Sequence, residues 1–233
     1  MRTEDLSTGF LAHPDVPPVP GVVVIPDVWG LSDLYRGFAR RLAADGFAAL
    51  AMDPYRKTGK GDFSDPAGAQ AWIRTLPDPL VLETTQEAID ALASHPAVAG
   101  RKVGITGFCM GGQYAILGAC TCRGLSACVA FYGMVRYEPG LDPARKPRSP
   151  LDAVADLRCP LLGLYGEEDT IIPVADVEEL RRRLAAAGKT FDIRLYPGAG
   201  HAFMNDTRPA AYRPEAAADA WRRMLASFRE RLA

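Results

Sequence analysis

The chain has 233 residues, and 27 lysines and arginines against 28 aspartates and glutamates give it a net charge of −1. This balance excludes a basic surface for nucleic acid or an anionic membrane, and no apolar run approaches the roughly 20 residues of a membrane span. Five cysteines, an odd number, argue against a disulfide framework and predict a reduced, cytoplasmic protein. With no composition shift along the chain, we expect a single domain over residues 1–233.

Short apolar runs alternate with amphipathic stretches along the chain. The predicted strands are Gly21–Ile25, Ala48–Met52, Val103–Gly107, Ala127–Tyr132, Leu161–Tyr165 and Phe191–Tyr196. The predicted helices are Leu34–Ala44, Leu82–Ser94, Gly112–Ala119, Val174–Ala187 and Glu215–Leu232. Nearly continuous apolar strands separated by helices are typical of a mostly parallel sheet covered on both faces, which predicts an α/β fold. The segment Pro139–Pro150, rich in proline, arginine and lysine, is predicted to be a solvated loop or part of a pocket rim.

The segment Gly107-Phe108-Cys109-Met110-Gly111 has the pattern of a nucleophile elbow with cysteine at its centre. It lies between a predicted strand and a predicted helix, and in such a turn the central side chain projects outward from a strained backbone. Glycines two positions before and after the cysteine prevent clashes where the backbone doubles back. The pattern therefore predicts a cysteine nucleophile at a helix N-terminus.

Two further polar motifs follow later strands. Glu167, Glu168 and Asp169 come after the strand that ends at Tyr165, and His201 lies in a glycine-rich loop after the last strand. Ligands of open α/β sheets bind beyond the carboxyl ends of the strands, where all these residues are expected to lie. The order nucleophile, acid, histidine is also the chain order of α/β-hydrolases. Among the three acids we favour Asp169.

The remaining cysteines and histidines have simpler interpretations. A buried cysteine usually behaves as a small hydrophobic residue, and we expect this of Cys120, Cys122, Cys128 and Cys159. His13 lies near a turn and His95 follows a predicted helix before proline, so both are predicted to be structural or surface residues.

These residue types define a nucleophilic mechanism. The thiolate is the reactive form of cysteine, and a helix N-terminus and a nearby imidazolium both favour it. His201 would accept the thiol proton and later protonate the leaving group, while Asp169 would orient the imidazole. The backbone N–H groups of Met110 and Val28 would donate hydrogen bonds to the developing oxyanion.

Four further segments accompany these motifs: Gly9–Ala12, Ala51–Tyr55, Phe131–Gly133 and Gly200–Phe203. Together they resemble the dienelactone hydrolase family over nearly the whole chain. The resemblance implies a single-domain α/β-hydrolase fold, a triad at Cys109, Asp169 and His201, and an oxyanion hole at Val28 and Met110. It also implies a carboxymethylenebutenolidase-like hydrolase of small esters or lactones, without cofactor or metal, that is a monomer or alternatively a homodimer.

Three positions depart from the family pattern. Asp27 aligns with a glutamate that interacts with the resting cysteine, and its side chain is one methylene shorter. Asn205 replaces an arginine four residues after the histidine, and a second carboxylate-binding arginine has no clear counterpart around Gly68–Ala71. Arg74 and Arg208 lie nearby, as replacements or as surface charges. Because an arginine pair binds a carboxylate tightly, the sequence defines the reaction class better than the substrate.

Six side chains near the motifs are candidates for substrate contacts: Trp29, Phe108, Tyr132, Phe203, Arg74 and Asn205. The four aromatic residues would line an apolar pocket, although aromatic residues beside a sheet are also ordinary core.

Two other functions are compatible with parts of the pattern. One is a non-catalytic binding protein on a hydrolase fold, against which the complete triad argues. The other is a glutamine-amidotransferase-like cysteine enzyme, in which the acid follows the histidine by two residues. In this chain that position is Phe203, which cannot orient an imidazole.

Overall fold

A computed structural model describes all 233 residues, and its centre is a single eight-stranded sheet. The strands are β1 (Arg2–Leu6), β2 (Gly9–His13), β3 (Gly21–Ile25), β4 (Ala48–Met52), β5 (Val103–Phe108), β6 (Leu125–Phe131), β7 (Leu161–Gly166) and β8 (Phe191–Tyr196). Their order is β1-β2-β4-β3-β5-β6-β7-β8. The pairs β1–β2 and β2–β4 are antiparallel and all other pairs are parallel, which confirms the predicted mostly parallel sheet.

Seven helices connect or follow the strands. They are α1 (Asp33–Ala44), α2 (Pro66–Thr75), α3 (Asp78–Ser94), α4 (Met110–Thr121), α5 (Pro150–Ala153), α6 (Val174–Ala186) and α7 (Pro214–Leu232). None of them is both long enough and apolar enough to span a bilayer.

The two faces of the sheet carry separate hydrophobic cores. Val23 and Ile25 of β3 pack into the core that also contains the buried faces of α3, α4 and α6. Val22 and Val24 pack into the opposite core, formed with α1 and α7. Successive strand side chains point to opposite faces, so a strand that is apolar throughout must be covered on both sides. The predicted helices on both faces are therefore confirmed.

The predicted elements agree with the structure to within two residues at each end, except at the start of α3. That helix begins at Asp78, four residues before the predicted Leu82. β1, β2, α2 and α5 lie outside the predicted elements. β1 is an exposed edge strand of mostly charged residues, so it has no apolar periodicity. α2 does carry start signals, because Asp65 caps the Gly68 N–H at 2.8 Å and Pro66 occupies its first turn.

The segment Pro139–Pro150 is only partly the solvated loop predicted for it. Most of it is exposed, but Lys146, Ser149 and Pro150 are buried. A lysine charge can be buried when a carboxylate partner compensates for its lost hydration, and Asp78 is that partner at 2.6 Å.

Candidate active site

Cys109 lies in the tight turn between β5 and α4, with backbone angles φ 55° and ψ −118°. This conformation costs a non-glycine residue energy and is typical of functional sites. The flanking glycines allow it because a Cβ on Gly107 would lie 2.0 Å from the Gly111 carbonyl oxygen, and one on Gly111 would lie 2.1 Å from the Ile25 oxygen. The Cys109 N–H donates to the Phe131 carbonyl at 3.0 Å, which fixes the turn against β6.

Asp169 and His201 are hydrogen-bonded to each other. His201 Nδ1 lies 2.8 Å from Asp169 Oδ2, and the Asp169 side chain is fully buried. The other carboxylate oxygen, Oδ1, accepts the N–H groups of Ile171 at 2.8 Å and Ile172 at 3.0 Å. The loop after β7 therefore fixes the carboxylate in one orientation and leaves Oδ2 for the imidazole.

The second imidazole nitrogen, His201 Nε2, is buried and makes no hydrogen bond. Burial is the largest single influence on the pKa of His201, and it lowers this pKa. Cys109 and Asp169 act in the opposite direction, and together they raise the pKa of His201 to about 10. Cys109 is the first of these raising influences.

Tyr132 and Ala202 give the site two more strained backbone positions. Tyr132 has φ 37° and Ala202 has φ 62°, and with Cys109 they are the only non-glycine residues with positive φ. The Tyr132 ring packs edge-on against the His201 ring at 5.1 Å and against Phe203 at 5.3 Å. Among the non-glycine residues, positive φ angles therefore occur only at Cys109, at the residue after His201 and at the tyrosine that packs on the His201 ring.

The backbone N–H groups of Val28 and Met110 make no hydrogen bond within the protein. Tyr55 connects the two residues, because its hydroxyl donates to the Val28 carbonyl at 2.7 Å and lies 3.5 Å from the Met110 sulfur. The segment Ala51–Tyr55 belongs to the family resemblance, but its sequence gives no sign that the tyrosine reaches these two residues.

Asp27 is buried at the end of β3, where its carboxylate is engaged by its own loop. Oδ1 accepts the Trp29 N–H at 2.9 Å, and the Asp27 carbonyl accepts the Gly30 N–H at 3.0 Å. Burial raises the pKa of Asp27, and the Trp29 N–H and the Tyr35 hydroxyl oppose that rise. The structure therefore shows Asp27 holding the Val28 loop and gives it no hydrogen bond to Cys109.

Trp29 is part of a rim that we define as Trp29, Lys60, Phe63 and Arg208. The Trp29 and Phe63 rings lie 5.4 Å apart. The Arg208 guanidinium lies 5.5 Å from the Trp29 ring centre, and the Lys60 ammonium lies 5.2 Å from Phe63 and 5.8 Å from Trp29. Neither cation has a carboxylate within 4.0 Å. Lys60 and Phe63 lie in a polar, glycine-containing loop and show no sequence pattern that predicts this position.

Of four candidate substrate contacts, Phe108, Phe203 and Asn205 are buried, and Arg74 is exposed with a carboxylate partner. Phe108 is buried in the core, stacked on Phe131 at 4.5 Å, because its position in β5 directs it into the α1 and α7 face. Phe203 is fully buried behind Tyr132. Arg74 pairs with Glu138 on the surface. Asn205 Oδ1 accepts the N–H and hydroxyl of Thr207 at 3.0 and 2.6 Å, so it stabilises the loop after His201.

The other thiols and imidazoles lie where the simpler interpretations place them. The four remaining cysteines are buried, and burial raises the pKa of Cys120 to about 12 and that of Cys122 to about 11. His13 and His95 both lie near Glu4, with Nε2 atoms 3.8 and 3.1 Å from its carboxylate. Cys109 is therefore the one cysteine that is not buried.

Comparison with known proteins identifies the family of this chain. A profile of the dienelactone hydrolase family matches residues 8–232. The chain belongs to the dienelactone hydrolase family. A Bradyrhizobium protein named "Probable 2-oxo-3-(5-oxofuran-2-ylidene)propanoate lactonase" is 37% identical over 221 residues, which cover 94% of this chain and 88% of that protein. An Escherichia coli K12 protein named "Putative carboxymethylenebutenolidase" is 38% identical over 218 residues, covering 91% and 78%.

A solved structure from this family has the same fold. The crystal structure described as a "Putative Dienelactone Hydrolase" from Klebsiella pneumoniae superposes with a TM-score of 0.87 at 37% identity, covering 95% of this chain and 92% of that one. The predicted family and the predicted α/β-hydrolase fold are therefore confirmed, and the protein is a hydrolase of this family.

Proposed function

We propose that the protein hydrolyses small esters or lactones through an acyl-thioester on Cys109. His201 is the general base and acid, Asp169 orients the imidazole, and the N–H groups of Val28 and Met110 form the oxyanion hole. The observation that carries the proposal is the 2.8 Å bond from His201 Nδ1 to Asp169, which leaves a buried, unpartnered Nε2 beside the strained nucleophile elbow. That arrangement is the triad geometry of nucleophilic acyl transfer.

The reaction proceeds in two acyl-transfer steps. The Cys109 sulfur attacks the substrate carbonyl carbon, and the two free backbone N–H groups donate to the resulting oxyanion. The tetrahedral intermediate expels the alkoxide, which takes a proton from the His201 imidazolium and leaves a thioester. Water then attacks the thioester while Nε2 accepts its proton, and the thiolate departs with the carboxylic acid released. With a lactone, the expelled alkoxide stays attached to the acyl group, so the product is a ring-opened hydroxy acid or its tautomer.

A carboxylate-bearing lactone is the substrate class that the rim supports. Lys60 and Arg208 are two cations without carboxylate partners beside Trp29. Burial raises the pKa of Asp27, and the charge of the nearby Arg208 is one of the influences that oppose this rise. The name of the Bradyrhizobium relative describes a lactone that carries a propanoate group. Lys60 and Arg208 would bind the substrate carboxylate in place of the arginine that Asn205 replaces. Arg74 is unsuited to that role because Glu138 already pairs with it.

The test is turnover of p-nitrophenyl acetate by the wild type, Cys109→Ala and His201→Ala, with Cys122→Ala as a matched control for loss of a thiol. We expect both triad variants to lose activity and the control to keep it. Mass spectrometry of the wild type quenched during turnover should show one acetyl group on Cys109. Wild-type rates in either triad variant would refute the proposal.

A further inference from the structure

A buried ion pair lies beside the nucleophile helix and has no part in the proposed chemistry. Lys146 Nζ lies 2.6 Å from Asp78 Oδ1, and both side chains are only 1% exposed. The two residues are 68 positions apart in the chain and join the start of α3 to the segment after β6. A buried ion pair is expensive to desolvate and is weak evidence for a stabilising role alone.

Two tyrosines complete the hydrogen bonding of the Asp78 carboxylate. The Tyr114 hydroxyl donates to Oδ1 at 2.7 Å, and the Tyr137 hydroxyl donates to Oδ2 at 2.6 Å. Asp78 also occupies the first turn of α3, where the helix dipole favours a negative charge. We name Asp78, Lys146, Tyr114 and Tyr137 the buried charge network.

The buried charge network reaches the helix that begins at the nucleophile. The Tyr137 hydroxyl proton is committed to Asp78, so Tyr137 must accept at its oxygen, and the Gln113 side-chain amide donates to it at 2.8 Å. The Gln113 backbone N–H in turn donates to the Cys109 carbonyl at 3.2 Å. A continuous series of hydrogen bonds therefore joins the buried charge network to the first turn of α4.

The segment that carries Tyr137 and Lys146 also contacts the histidine. It begins after β6 with Tyr132, whose ring packs on His201 at 5.1 Å. Gly133 follows, packed so closely that a Cβ would lie 2.4 Å from the Gln113 nitrogen. The segment therefore contacts both His201 and the first turn of α4, and further along the chain Lys146 joins it to Asp78.

We propose that Asp78, Lys146 and Tyr137 are positioning residues that hold the first turn of α4 and the Tyr132 ring in register for the reaction at Cys109. This inference rests on the proposed function. The free N–H of Met110, a proposed oxyanion donor, lies in the turn that the buried charge network holds. Disruption of the network should therefore lower kcat more than it changes KM. A misplacement of about 1 Å at a reacting group can slow catalysis about 100-fold.

The first test is Tyr137→Phe, which keeps the ion pair and removes only the hydroxyl that links it to Gln113. The matched control is Tyr196→Phe, which removes a tyrosine-to-aspartate bond of 2.9 Å, to Asp219, on α7. We expect Tyr137→Phe to lower kcat about tenfold with KM within about twofold, and the control to keep both. Cys109 alkylation by iodoacetamide at pH 7 should slow in Tyr137→Phe only.

The second test separates positioning from stability. Lys146→Met alone leaves the buried Asp78 carboxylate without its cation, so this variant should unfold at a lower temperature than the wild type. Asp78→Asn combined with Lys146→Met removes both charges and should recover most of the thermal stability. Positioning requires that kcat of the folded double variant remain reduced. Wild-type kcat and alkylation rate in Tyr137→Phe and in the double variant would overturn the inference.

Alkylation also distinguishes failure of the inference from failure of the proposed function. If the wild type hydrolyses no ester or lactone, the proposed function fails, yet the alkylation rate of Cys109 still reports how the network positions the thiol. A slower rate in Tyr137→Phe than in Tyr196→Phe then supports positioning, and equal rates refute it.

Discussion

The triad and the rim lie at the same end of the sheet but are held in different ways. Cys109 is fixed by backbone packing that leaves no room for a Cβ on either flanking glycine, and Asp169 by two backbone N–H groups. Lys60 and Arg208 are positioned only by contacts with aromatic rings. Backbone constraints tolerate little displacement, whereas long side chains over a ring retain rotamer freedom. The difference teaches that the backbone itself sets the positions of Cys109 and Asp169, whereas the rim is made of long side chains that can change without altering the backbone.

The largest effect should come from Asp169→Asn, which tests whether the backbone fixes the triad. The Ile171 and Ile172 N–H groups would select the new amide oxygen, so the NH₂ group would face His201 Nδ1 and impose the wrong tautomer. We expect kcat/KM for p-nitrophenyl acetate to fall about 10⁴-fold. Glu168→Gln, in the same loop but exposed, is the control and should keep its activity. A tenfold or smaller loss in Asp169→Asn would contradict the assigned role.

Gly111→Ala tests the packing of the elbow itself. The added Cβ would meet the Ile25 backbone oxygen at 2.1 Å, so β3 and α4 would have to separate. We expect the free energy of unfolding in urea to fall by more than about 3 kcal/mol. In contrast, a Cβ on Gly37 in α1 meets nothing within 4 Å, and Gly37→Ala should stabilise by about 0.5–1 kcal/mol. Equal stabilities of the two variants would mean that the elbow is not tightly packed.

Arg208→Gln tests the weaker constraint at the rim. Removal of one charge-assisted hydrogen bond should raise KM about tenfold for lactones that carry a carboxylate, and leave neutral esters unchanged. The effect should shrink as salt is added, because exposed charges are screened. Arg74→Gln is the control, and we expect no change since Arg74 pairs with Glu138. A similar KM change for neutral and charged substrates would show that Arg208 acts through packing.

The smallest expected effect is a change in the pKa of His201. Because the pKa of His201 is raised from 6.5 to about 10 in the folded protein, its imidazolium contributes stability that is fully present below about pH 6.5 and lost as the pH rises through 10. In Cys109→Ala the thiolate is gone, so this pKa should fall and the stabilised range should end at lower pH. Nitrogen NMR of the imidazole measures it, with Cys122→Ala as the control. An unchanged value would contradict the coupling of Cys109 to His201.

Local patterns were sufficient to predict the parallel strands and the tight turn at Cys109. Each depends on residues adjacent in the chain, such as the apolar run of β3 or the glycines around Cys109. The predicted start of α3 is four residues too late. The helix begins at Asp78, a charged residue that is buried in an ion pair with Lys146, so its first turn does not show the amphipathic pattern of a surface helix. Phe108 is a pocket candidate in the sequence because it neighbours Cys109, yet strand pleating directs its ring into the core formed with α1 and α7.

The sequence by itself determined the fold class and the family, and it placed Cys109, Asp169 and His201 just beyond the carboxyl ends of parallel strands, because these features follow from short-range spacing and from the end of the sheet at which parallel strands finish. Only the tertiary structure decided that Lys146 is buried against Asp78, that Tyr55 joins Val28 to Met110, and that Lys60 and Arg208 stand at one rim. Those pairs lie far apart in the chain. Ion pairs and hydrogen bonds between residues distant in the chain produce no periodic pattern in the sequence. They are therefore visible only in the folded structure.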